Sequence, residues 1–132
     1  MSARYSIQDR RRFQRLELNI TVYYQIKEPL NIKVMFGDKE IEAMMLNISA
    51  GGMGMLTKFN IPARSTLLIK ITLAKMDKQG KVSFYGPMEV VGEVKYNVLE
   101  EDKQYRLGIR FIKVERQDQV EITNFVKMTL NP

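Results

Sequence analysis

Alternation of apolar and polar residues, repeated along most of the chain, is the feature that limits its fold most. Ile20, Val22, Tyr24 and Ile26 fall on one face by period two. Ile32, Val34 and Phe36 repeat the pattern, as do Ile41, Ala43, Met45 and Asn47, and then Leu67, Ile69, Ile71 and Leu73. A strand shows every second side chain to the same side, so each run reads as a half-buried β-strand. Met53–Leu56, Met88–Leu99 and Tyr105–Val114 also read as strands. Short polar breaks separate the runs: Glu28-Pro29, Gly37-Asp38, Ser49-Ala50-Gly51-Gly52, the loop Asn60–Ala63, a hairpin loop over Lys75–Lys81 and the charged turn Glu100–Lys103. Only the end changes period. Ile122, Phe125, Val126 and Thr129 are spaced by three and four, which predicts an amphipathic helix over Gln117–Thr129. Short strands followed by one helix imply a barrel or a sandwich.

At 132 residues the chain suits one domain, with residues 1–15 expected as a flexible N-terminal arm and 16–132 as the folded body. Composition narrows the chemistry. The chain contains no His and no Cys, which removes Ser-His-Asp and Cys-His nucleophilic sites and zinc sites built on nitrogen or sulfur. Its acidic residues are scattered and form no two-carboxylate motif, so neither an enzyme, a metal nor a cofactor is expected. There is no apolar run long enough to span a bilayer and no apolar core of a signal peptide near Met1, so no membrane insertion and a cytoplasmic location are expected.

The net charge of +6 is concentrated at one place. Arg4, Arg10, Arg11, Arg12 and Arg15 stand against Asp9 alone, while residues 16–132 carry 16 basic and 14 acidic side chains. Such a cluster calls for an anionic partner at one locus rather than a generally basic surface. Arginine can bond a phosphate or the O6 and N7 edge of guanine with two parallel hydrogen bonds, and its flat face stacks on rings. Taken alone, the cluster reads first as a solvated basic arm or a nonspecific polyanion tether. The second constellation is Asn47-Ile48-Ser49-Ala50-Gly51-Gly52, where a strand ends in short polar groups and glycines that let a ligand approach the backbone. Taken alone, it reads first as a tight hairpin whose Asn and Ser bond their own backbone. The nine methionines read as core and rim filler, Tyr23 and Tyr24 as strand packing, and Gly108 as a bulge or a point of close approach.

Together the two constellations resemble the PilZ domain family, whose pattern is Arg-x-x-x-Arg followed by Asp/Asn-x-Ser-x-x-Gly. Arg11 and Arg15, with Arg12 doubling the first, match the former; Asn47, Ser49 and Gly52 match the latter. Val91–Tyr96 is similar to the family's late strand, with Tyr96 where tryptophan is common, and Tyr105–Phe111 to its Leu-Gly-x-x-Phe strand. The resemblance implies an all-β fold: a six-stranded antiparallel β-barrel with one C-terminal α-helix. It also implies cyclic di-GMP as ligand, held by Arg11, Arg12, Arg15, Asn47, Ser49 and Gly52. Beside these, Arg10 and Gly51 are further candidates, and Arg110 reads about equally as a ligand contact or a solvated strand position. The expected function is a receptor whose arm orders on binding and which signals through an unidentified protein partner. No nucleic acid is expected as partner. The rival readings are a small barrel that uses its basic arm on nucleic acid, and a ligand-free structural adaptor.

Overall fold

Residues 16–130 are described by the structure, a computed structural model. Strand β1 (Leu16–Glu28) leads into a short helix α1 (Leu30–Phe36). The strands β2 (Ile41–Ser49), β3 (Gly52–Thr57), β4 (Thr66–Met76) and β5 (Val82–Leu99) follow. A single 3-10 turn at Glu101–Lys103 connects β5 to β6 (Tyr105–Lys113), and helix α2 (Arg116–Leu130) ends the described chain. The six strands close into a ring in the order β1-β2-β3-β6-β5-β4, every pair antiparallel. Closure removes the unpaired edges that an open sheet would offer to another chain.

The inner face is built by the alternation seen in the sequence. Val22, Tyr24 and Ile26 of β1 point inward with Ile41, Ala43 and Met45 of β2, and Leu67, Ile69, Ile71 and Leu73 of β4 are all fully buried. Met53, Met55, Val90, Val94, Leu107 and Ile109 complete the lining, so those two methionines are core residues. The Tyr24 hydroxyl shares a 2.7 Å hydrogen bond with the Thr57 hydroxyl. Burial pushes its phenol up to about 12, and the Thr57 bond opposes that rise. Helix α2 buries Ile122 and Val126, one turn apart, against the barrel. It is tied to the β4–β5 hairpin by the Tyr85 hydroxyl donating to Asp118 (2.8 Å) and by an ion pair between Lys75 and Glu121.

Three expectations need correction. The Ile32, Val34, Phe36 run is helix α1, not a strand. Ile32 and Phe36 are also one helical turn apart, and both are partly buried against the core while Val34 is exposed. Gly37, at φ 68°, ends the helix with its N–H on the Lys33 carbonyl (2.7 Å), a stop that favours the helical alternative. Secondly, β5 begins at Val82 rather than Met88, because β4 and β5 continue as a paired ribbon past Gly86-Pro87. The expected loop thereby shrinks to a turn in which Asp77 Oδ1 accepts the N–H groups of Gln79 and Lys81. Thirdly, Asn47 does not continue the inward row of Ile41, Ala43 and Met45. The β2–β3 register shifts between Met45 and Asn47, so Ile48 enters the core opposite Met53, and Asn47 lies opposite Gly54. A bulge of this kind turns the following side chains to the other face.

Candidate ligand-binding site

The bulge in β2 opens the site. Past it, Asn47 of β2, Gly54 of β3, Gly108 of β6 and Tyr96 of β5 form one row across four neighbouring strands. Met53, Met55, Leu107 and Ile109, which flank the two glycines, all point into the core. The row therefore lies on the barrel's outer face. Two glycines stand side by side in this row, each covered by a neighbour: the Asn47 amide lies over Gly54 and the Tyr96 ring over Gly108. Asn47 borders them from one side; its Oδ1 accepts the Gly54 N–H at 2.9 Å, and the residue is 6% exposed. Tyr96 borders them from the other. Its ring carbons lie 2.0–2.5 Å from where a Gly108 Cβ would stand, so only glycine lets the ring rest there, and the ring remains 47% exposed.

The hairpin Ser49–Gly52 forms a further wall. Ser49 Oγ accepts the Gly51 N–H at 3.3 Å and lies 3.4 Å from the Gly52 carbonyl oxygen, to which it donates. The Gly51 carbonyl accepts the Phe111 N–H (2.9 Å), which pins the turn onto β6. Gly52 has no left-handed φ. Its requirement is space, because a Cβ there would stand 2.1 Å from the Ile109 carbonyl oxygen. A second register shift, between Val94 and Tyr96, accompanies Lys95 at the rim, where both Lys95 and Tyr96 line the groove. The groove holds about 190 Å³. Beside it, Glu93 Oε1 contacts Lys95 Nζ (3.2 Å) and Arg110 Nη2 (3.5 Å), and Arg110 pairs in register with Gly52.

Of the residues expected from sequence, Asn47, Ser49 and Gly52 converge on this groove, with Gly51 in the same turn and Arg110 on the adjoining strand. Arg10, Arg11, Arg12 and Arg15 lie outside the described residues, as does the expected arm. However, Leu16 pairs with Ile48 and Glu17 with Asn47, so the chain that carries those arginines joins the barrel beside the groove. Gly54, Lys95, Tyr96 and Gly108 were not expected as site residues. A second hollow, of about 370 Å³, lies between the β4–β5 ribbon and α2. Its lining includes Glu89, Glu115 and Asp118 and no cation, the wrong sign for an anionic ligand. Among the described residues no helix is long and apolar enough to cross a membrane, and no group of acidic residues is arranged to hold a metal ion.

A closed antiparallel barrel carries a glycine-lined groove on its outer face, beside the entry of a basic segment. The chain belongs to the PilZ domain family, whose model matches residues 9–128. Among solved structures it is similar to the inhibitor of motility MotI/DgrA from Bacillus subtilis, at 17% identity and TM-score 0.68, covering 94% of this chain and 53% of that one. It is also similar to YcgR from Escherichia coli in complex with c-di-GMP, at 15% identity and TM-score 0.58, covering 92% and 46%. The third is the PilZ domain of YcgR with c-di-GMP, at 16% identity and TM-score 0.53, covering 91% of each chain. The chain thus spans about half the length of MotI and of the longer YcgR chain. At these identities the likeness establishes the fold. No curated protein matches.

Proposed function

We propose that this chain is a receptor for cyclic di-GMP, bound between the outer-face groove and the arginines Arg11 and Arg15. The observation that carries the reading is the meeting of Asn47, Ser49 and Gly52 around a glycine-lined groove, next to the point where the arginine segment enters. Membership of the PilZ family and the c-di-GMP bound to YcgR support the choice of ligand.

The chemistry of each part fits. Cyclic di-GMP carries two phosphates and two guanines. The half-exposed Tyr96 ring, resting on Gly108, offers a flat base a face to stack on. Asn47 holds Gly54 with its oxygen, so its amide nitrogen is the group left to donate to a ligand acceptor. The groove's volume of about 190 Å³ is below the ~300–1,000 Å³ usual for small-molecule sites, so a dinucleotide needs a further wall. The arginine segment can supply it: the five residues from Leu16 back to Arg11 reach at most about 17 Å when extended. In this reading residues 1–15 order on binding, and the changed surface engages a protein partner.

Titration calorimetry with cyclic di-GMP tests the proposal. Wild-type protein binds, and Arg11→Ala and Arg15→Ala each weaken binding by about 1.5–3 kcal/mol without unfolding the barrel. Arg15→Lys loses most of the same affinity, because lysine keeps the charge but not the planar fork. Wild-type affinity in either alanine variant removes the arginines from the site. Equal, steeply salt-dependent binding of any nucleic acid in place of cyclic di-GMP returns the basic-arm alternative.

A further inference from the structure

The groove's rim carries a charge arrangement that the family pattern does not contain. Lys95 lines the groove, and Arg110 stands on β6 opposite Gly52. Both cations address the same oxygen, Oε1 of Glu93, at 3.2 and 3.5 Å. The side chains of Lys95 and Arg110 are 50% and 62% exposed, that of Glu93 only 25%. Three charges at one rim therefore sum to +1, with the single carboxylate the more sheltered member.

A carboxylate and a phosphate ask for the same partners, charged N–H donors at hydrogen-bond distance. We infer that Glu93 acts as an internal competitor for the ligand's phosphate, setting the affinity of the groove by occupying Lys95 and Arg110 in the free protein. The inference rests on the cyclic di-GMP reading and concerns the regulation of that same site. When ligand arrives, the two cations turn from Glu93 to the phosphate, and Glu93 then stands as a like charge beside it. Both effects lower affinity relative to a rim that carries the two cations alone. The pairs are exposed, so they are weak, solvated and readily broken. Their exchange adjusts affinity by a modest factor rather than closing the site. If the triad were only a staple between β5 and β6, neutralising Glu93 would change the melting temperature and not the affinity.

The test is calorimetry on the full chain with cyclic di-GMP at two salt concentrations, using wild type, Glu93→Gln, the Lys95→Gln/Arg110→Gln pair and the three changes combined. Wild type without measurable binding removes the ligand reading, and the role of Glu93 with it. Given wild-type binding, Glu93→Gln is expected to bind about two- to fivefold tighter, the range set by exposed ion pairs. Its affinity should also fall more steeply with salt, since the two cations are unpaired before binding and exchange solution counterions, rather than Glu93, for the phosphate. The gain should shrink in the background that lacks both cations, where only the like-charge effect of Glu93 remains. Unchanged or weaker binding by Glu93→Gln overturns the inference while leaving the ligand reading intact. So does a gain that is undiminished without Lys95 and Arg110. Glu93→Ala repeats the measurement should the glutamine variant fail to fold.

Discussion

The same strands present two surfaces built on opposite rules. Inside the barrel, β2, β3, β5 and β6 fill every row: Met45, Met53, Met55, Val94, Leu107 and Ile109 are all buried and apolar. On the outside, one row of those strands is stripped to Gly54 and Gly108 and bordered by Asn47 and Tyr96. The inner surface follows the period of two from Leu67 to Leu73 of β4. The outer groove exists because that period is broken, by a register shift after Met45 and another after Val94. Stability is thus carried by regularity and the candidate site by departures from it, so the two should respond separately to mutation.

The largest effect is expected inside. Ile69→Ala truncates a fully buried side chain and should cost about 2–5 kcal/mol in urea unfolding. The folded fraction should bind cyclic di-GMP with unchanged affinity; a matching loss of affinity would break the separation. Gly52→Ala tests where the two surfaces meet, because the added methyl strikes the Ile109 carbonyl rather than a mobile side chain. It should lower stability by about 1–3 kcal/mol and weaken binding as well. Asn47→Ala should cost about 1–3 kcal/mol of stability through the Gly54 N–H left without its partner. Asn47→Asp retains an acceptor for that N–H and should fold as wild type, while losing affinity if the amide nitrogen donates to the ligand. Ser49→Ala is the smallest. Its contacts are long, at 3.3 and 3.4 Å, so thermal stability should hardly move. An affinity loss of roughly 0.5–1.5 kcal/mol in calorimetry would place its hydroxyl against the ligand, and no loss would confine it to the turn.

The contrast also explains what the sequence disclosed. The inner rows of β1 and β4 and the end helix were legible because burial imposes a period on local residues. The Ile32–Phe36 segment was not, because so short a run satisfies both the strand and the helix period. Asn47 was picked out as a candidate by its neighbours in the motif and lines the groove, yet its phase was misread. The bulge that turns it outward depends on register with β3, which local alternation does not encode. Gly108 was read as a point of close approach, which it is, but the partner that makes it so, the Tyr96 ring, comes from the neighbouring strand. Gly52 and Gly54, two apart around a core methionine, were the one available signal of close packing on the outer face. Lys95 offered none, since a lysine in a strand ordinarily marks a solvated position.

The central claim is that ligand meets the glycine-lined outer groove and no other hollow. Backbone amide spectra recorded during titration with cyclic di-GMP test it residue by residue. Shifts should concentrate at Ser49, Gly52, Gly54, Lys95, Tyr96 and Gly108, while Tyr85, Glu89 and Asp118, around the acidic hollow, stay where they were. Shifts centred on the acidic hollow, or a groove left silent at saturating ligand, would contradict it.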